Sequence, residues 1–306
     1  MYDTSWVRCM FNNIKNTNEI PYFFHDVYIT VIPKSRCKSQ LSLSNLRGIF
    51  LVPKLRKNFS KFVYYSIIDT LEDNLSPSNI GARRRKSPCD HLFVLNSIVH
   101  DVIKGKDVND VDLVFYDLAQ AYYSLWVRHT LLDLYENQVN SNLLNVIYEL
   151  SKKANISIKT PVGITKSKEI EENIMQGKNL SSILCTTSVD KVAKDCPIAS
   201  YKYKDFVDIP KMGFCDDLLD IKICGPETKE MNEYTKQEID KRRLQFSNDK
   251  CVRMHVRNKR SNNNNDDEEK KKCEEISNDH WEVETLKMAI SLNKQMCTKV
   301  QIMSRQ

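Results

Sequence analysis

GFCDDLLD, residues 213–220, sets Asp216 beside Asp217 in a stretch whose flanks, Phe214 and Leu218–Leu219, read as buried strand. Asp is depleted in strands, and adjacent negative charges repel unless something neutralises them. Asp-Asp pairs also occupy ordinary hairpin turns. The pair alone leaves both readings open. What decides between a plain turn and a chemical site is whether another acid meets it.

Working outward, PKMGFCDDLLDIKI (210–223) reads as strand, tight turn, strand, and VDLVFYDL (111–118) is an almost continuously apolar, buried strand ending at Asp117. A strand-terminal Asp often caps the following helix. If both strands share a sheet, however, three carboxylates meet and require cations. Hard divalent ions with oxygen ligands are the natural answer. Mg²⁺ held by carboxylates and substrate phosphates is the usual arrangement in nucleotidyl transfer.

The rest of the chain mixes both periodicities. DVYITVIPK (26–34) alternates as a strand, and KCVRMHV (250–256) does so again. Helical spacing marks 60–75, with Ser60 as N-cap, and 87–105, with Pro88 near its start and Gly105 at its close. Further helices are expected over 121–138, 141–155 and 227–246. RNKRSNNNNDDEEKKKCEE (257–275) is a low-complexity polar run, and one helix is the most that residues 281–306 offer. The order is that of an α+β protein built on an antiparallel sheet.

With 306 residues, 41% of them hydrophobic, the chain can bury one large core or two moderate ones. No apolar run follows a basic start, and the longest apolar runs are too short to cross a bilayer. An intracellular protein of nucleus or cytoplasm, not secreted and with no membrane partner, is expected. The cysteines come no closer than nine residues, and the histidines form no HxxxH set. Neither a disulfide scaffold nor a structural zinc is therefore expected. The net charge of +6 is unevenly spread. Lys34, Arg47, Lys54, Arg56 and Lys57 belong to an acid-free basic segment, and Arg83-Arg84-Arg85-Lys86 follows it. Such clusters are either solvated faces or surfaces for a polyanion.

Six stretches then fall into a recognisable order. They are NLRGIFLVPKLRKNFSKFV (45–63), NIGARRRKSPCDHLFVLNSI (79–98), FYDLAQAYYSLW (115–126), NIMQGKNLSS (173–182), GFCDD (213–217) and LQFSNDKCVRMHV (244–256). Together they resemble the fingers-palm core of the reverse transcriptase of non-long-terminal-repeat (LINE-type) retrotransposons. The resemblance implies a right-hand polymerase with fingers (1–110) and palm (111–256), its antiparallel palm sheet flanked by helices. It leaves 257–275 as a linker and 276–306 as a divergent tail without a recognisable thumb.

The implied activity is RNA-directed DNA polymerisation on an RNA template and DNA primer, with deoxynucleoside triphosphates as substrates. Asp117 and Asp216 would bind two Mg²⁺ ions, with Mn²⁺ as an alternative, Asp217 close by and the Leu118 carbonyl as an extra ligand. Tyr122 would lie under the incoming sugar and reject a 2′-hydroxyl, which speaks against an RNA-templated RNA polymerase. Arg83, Arg85 and Lys86 would grip the triphosphate. Gln176 and Gly177 would border the nascent base pair, and Lys250 would assist the leaving pyrophosphate or stand as a solvated strand-edge lysine. Two departures stand out. Tyr123 occupies a place where the family usually carries Asp, and KNLSSIL (178–184) lacks the family's prolines. A catalytically inactive nucleic-acid-binding remnant is the alternative reading.

Overall fold

The computed structural model describes residues 5–33, 45–104, 110–171, 174, 179–194, 196, 202–203, 207–208, 211–224, 227–247 and 251–258. Helix α1 (Ser5–Thr17) and a 3-10 turn (Tyr22–Phe24) precede strands β1 (Asp26–Pro33) and β2 (Leu46–Leu51). Helices α2 (Lys54–Asn74) and α3 (Pro88–Ile103) follow, then β3 (Val111–Asp117), α4 (Ala121–Ser124), α5 (Val127–Glu136) and α6 (Ser141–Lys152). The chain continues through β4 (Lys153–Thr160), β5 (Gly163–Ile164), β6 (Lys168–Glu171), α7 (Asn179–Lys194), β7 (Lys202–Tyr203) and β8 (Val207–Asp208). It closes with β9 (Lys211–Phe214), β10 (Asp217–Ile223), α8 (Glu227–Lys241) and β11 (Val252–Val256).

The first sheet runs β2-β1-β4-β5, with β6 also on β4, and its β1–β4 pairing is parallel. The second, β11-β3-β10-β9, is antiparallel throughout. Alternation along its strands gives it two faces. Val111, Leu113, Met212, Leu219, Ile221 and Val256 pack with Leu95, Ile98 and Val102 of α3. The start of α3 is a capping box, in which the Ser87 hydroxyl and the Asp90 carboxylate each accept a backbone N–H, with Pro88 at the first position.

The opposite face buries charge. Lys211 Nζ lies 2.6 Å from Asp220 Oδ1, and Lys222 Nζ lies 3.3 Å from Asp220 Oδ2. Thr235 of α8 and Tyr116 of β3 each donate a hydroxyl to Asp220 Oδ2 at 3.1 Å. Asp220 and Lys211 are 0% exposed and Lys222 1%. A charge held this deep needs every one of these partners.

The larger core joins α2, α5, α6 and α7. Helix α7 is buried from Leu180 through Asp190 although it carries Ser181, Ser182, Thr186, Thr187 and Ser188. Three of those hydroxyls bond within the core: Thr187 donates to the Ile183 carbonyl one turn back, Thr186 to the Gly81 carbonyl, and Ser188 pairs with Thr130 of α5.

Several boundaries differ from the sequence expectation. Helix α2 begins at Lys54, directly after Pro53, so Ser60 is a buried interior residue rather than a cap. The helix expected over 121–138 breaks at Leu125–Trp126, where ψ rises to 122° and 112°. That break puts Leu125 in the core and the Trp126 ring 4.2 Å from the Arg243 guanidinium. Strand β4 takes over at Lys153, shortening the helix expected to reach residue 155. The low-complexity run from residue 259 onward and the tail lie outside the described residues.

Candidate functional site

The register of β3 and β10 pairs Asp117 with Asp217 across the sheet. Side chains on directly opposed antiparallel residues stand about 4.5–5.5 Å apart at Cβ. Asp216 sits beside them in the two-residue turn between Phe214 and Asp217. All three carboxylates are partly exposed, in contrast to Asp220 three residues along β10. The turn is sharp because Cys215 is left-handed, with φ 57°, a conformation a β-carbon disfavours. Cys215 holds it while only 2% exposed.

Other segments close around this corner. Ser247 N–H donates to the Asp117 carbonyl at 2.8 Å, and Ala119 N–H to the Gln245 carbonyl at 2.7 Å. These bonds align Leu118 with Phe246 and bypass the Leu118 carbonyl itself. Residues 78–80 run along the hairpin, with Gly213 N–H donating to Ser78 and Ile80 N–H to Gly213. Gly81 then passes so close to the turn that a β-carbon there would come within 2.2 Å of the Cys215 nitrogen. Gly81, within the basic stretch 79–98, is the residue that lets this loop meet the carboxylate turn.

Tyr122 faces the same corner from α4. Its phenol is pushed well above its ordinary range by burial, and further by Cys215, Cys185 and Asp216, while a hydrogen bond with Ser182 of α7 opposes this. Tyr123, 47% exposed, turns the other way. Its hydroxyl reaches the Gly48 carbonyl at 3.4 Å and its ring meets Phe50 on β2.

The basic residues separate by burial. Arg56 is 3% exposed and donates to the Phe24 carbonyl at 2.5 Å and the Leu150 carbonyl at 2.7 Å. Burial lowers its guanidinium to about 10. The expectation of a surface contact therefore fails for Arg56, whose position follows the inner face of α2. Arg83 is also committed internally. It pairs with Glu72 at 2.9 Å and donates to the Ser76 and Asn79 carbonyls, so it tethers the loop rather than pointing outward. Arg84 pairs with Asp69 beside the Tyr65 ring. Arg85 and Lys86 are exposed, as are Lys54 and Lys57, and Arg47 is partly so. Lys34, Gln176, Gly177 and Lys250 lie outside the described residues.

No family model matches the chain, and none of the curated proteins does. Solved structures do. Apo telomerase from Candida tropicalis truncated from its C-terminal domain aligns at TM-score 0.52 and 13% identity, over 82% of this chain and 55% of that one. Telomerase of the same organism in complex with a TWJ fragment of telomeric RNA gives 0.53 and 13%, over 82% and 44%. The apo telomerase gives 0.53 and 13%, over 83% and 50%. The chain spans about half the length of these telomerases. At such identity the likeness shows the fold alone, which the chain shares with these telomerases over most of its length. Among the described residues no helix is long and apolar enough to cross a membrane.

Proposed function

We propose that the chain is an RNA-directed DNA polymerase fragment of a retrotransposon, with fingers over 1–110 and a palm over 111–256. The observation that carries this reading is the register that sets Asp117 opposite Asp217, with Asp216 in the adjoining turn. The order of the six sequence motifs supports the retrotransposon assignment, and the fold supports a polymerase.

The donors at this corner are carboxylate oxygens on partly exposed side chains, which fits Mg²⁺ and not a soft metal. Asp117, Asp216 and Asp217, with the Leu118 carbonyl, would hold it. When bound, two such ions polarise phosphate and stabilise the charge on attacking and leaving oxygens. The chain's own groups do the rest. Tyr122 supports the sugar of the incoming nucleotide and excludes a 2′-hydroxyl. Arg85 and Lys86 take the triphosphate, the role that Arg83 cannot fill from inside its loop. Arg47, Lys54 and Lys57 draw in the template-primer duplex. Gln176 and Gly177 border the new base pair, and Lys250 stabilises the departing pyrophosphate.

The internal commitment of Arg83 favours a second reading, a binding remnant that keeps the fold but not the chemistry. Primer extension on an RNA template separates the two. The polymerase reading expects Mg²⁺-dependent addition of deoxynucleotides in preference to ribonucleotides. Binding of the primer–template with no addition under Mg²⁺ or Mn²⁺ would leave the remnant.

A further inference from the structure

The opposite end of the palm sheet gathers a different set of donors. His255 on β11 is the register partner of Asp112 on β3, and Cys224 follows the last residue of β10. The backbone holds this corner, since Cys224 N–H donates to the Asp110 carbonyl at 2.9 Å and Asn258 N–H to Asp110 Oδ1 at 2.7 Å. His255 Nδ1 lies 3.4 Å from Cys224 Sγ and 3.0 Å from Asp112 Oδ1, and the three ligand atoms all lie within 4.8 Å of one another.

Zn–S bonds of about 2.3 Å and Zn–N or Zn–O bonds of about 2.0–2.2 Å, set at tetrahedral angles, separate ligand atoms by roughly 3.3–3.6 Å. The Cys224–His255 edge of 3.4 Å falls in that range and the Asp112–His255 edge of 3.0 Å lies just below it. Thiol and carboxylate both face Nδ1, as two ligands sharing one metal with that nitrogen would. The other nitrogen, Nε2, faces Asp110 Oδ2 at 3.5 Å. An outer carboxylate on the far ring nitrogen is the usual orienting partner of a metal-binding histidine. Arg253 occupies Asp112 Oδ2 and leaves Oδ1 turned toward the cluster.

We infer that Asp112, Cys224 and His255 form a zinc site that staples β3, β10 and β11 together at the end of the sheet remote from Asp117. Five residues of strand, about 16 Å, separate Asp112 from Asp117, so the two sites are distinct. The mixed sulfur, nitrogen and oxygen set selects zinc over magnesium.

Titrating the metal-stripped full chain with Co²⁺, as a spectroscopic stand-in for zinc, tests the site. One equivalent is expected to produce thiolate-to-cobalt absorption that Zn²⁺ then removes. Cys224→Ser should abolish that band, and Asp110→Asn should keep it while weakening zinc binding about 10–100-fold. Zn²⁺ should also raise the Tm of the unmutated chain, a readout that does not depend on any variant folding. Absence of the band at stoichiometric cobalt, or a band that survives Cys224→Ser, overturns the site and leaves Asp112 as a carboxylate neutralised by Arg253 and His255. Asp117, Asp216 and Asp217 offer no thiolate, so this outcome is separate from that of the polymerase reading.

Discussion

At its C-terminal end β3 presents Asp117 beside Asp217 and the Asp216 turn, all partly exposed, whereas near its N-terminal end it presents Asp112 at 1% exposure. Burial pushes the Asp112 carboxyl up, but hydrogen bonds from His255 and Arg253 outweigh it and hold the group at about 2. The same residue type on the same strand thus serves two purposes. In the metal-free chain a buried carboxylate must keep counter-charges beside it or lose its ionisation. For Asp112 these are Arg253 and His255, until a metal takes the place of the His255 proton. Carboxylates at an open strand end can stay charged and receive their cations from outside. A substitution should therefore cost chemistry at the open end and stability where charge is buried.

The largest effect is expected at the open end. Asp216→Asn or Asp117→Asn should lower the rate of nucleotide addition on the order of a thousandfold or more, with primer–template affinity and Tm nearly unchanged. Single-turnover incorporation against filter binding checks this. A matching loss of affinity or Tm would remove the contrast between the two ends.

The buried side should respond through folding. Asp220→Ala strips the counter-charge from Lys211 and Lys222, and removing one partner of a buried pair costs about 3–5 kcal/mol. Urea denaturation should show it, and unchanged stability would mean that the Thr235 and Asn232 contacts alone satisfy the two ammonium groups.

A third expectation concerns pH. Burial lowers the His91 imidazole to about 4, and its Nε2 lies 2.9 Å from the Ser78 carbonyl, in the loop beside the carboxylate turn. Its folded value lies below its ordinary value of 6.5, so its contribution is complete above about pH 6.5 and is lost as the pH falls toward 4. The loss amounts to about 3 kcal/mol. His91→Gln should flatten that part of the stability profile, and an unchanged slope between pH 6.5 and 4 would assign acid sensitivity to another group.

The smallest effect belongs to the surface. Lys54→Ala and Lys57→Ala should each reduce the salt dependence of nucleic-acid binding by about one unit of log–log slope. Arg56→Ala, between them, should leave the slope alone and lower Tm, because its guanidinium holds two carbonyls inside the fold. Equal slopes for all three variants would break the distinction that burial draws along this one helix turn.

How much of this was legible differs by element. The hairpin at 210–223 and the strand at 111–118 announced themselves through β-rich, apolar flanks around misplaced acids. Helix α7 did not, although it lies at the centre of the larger core. Its sequence, NLSSILCTTSVDKVAK, shows no apolar stripe, because its hydroxyls bond backbone carbonyls and neighbouring hydroxyls inside the protein. The parallel β1–β4 pairing was equally hidden, since nothing local records which distant strand a strand will meet.

Local order along the chain therefore determined the α+β class, the acid-ended strands and the turn that carries Asp216. Cysteine and histidine spacing argued against a structural zinc, and Asp112, Cys224 and His255 are scattered over most of the palm sequence. Only the tertiary structure brought those three together, buried Arg56 and Arg83 out of the basic surface, and set Asp117 opposite Asp217. The reason is that hydrophobic periodicity reports which face of an element avoids water, whereas sheet register and burial depth are settled by partners far away in sequence.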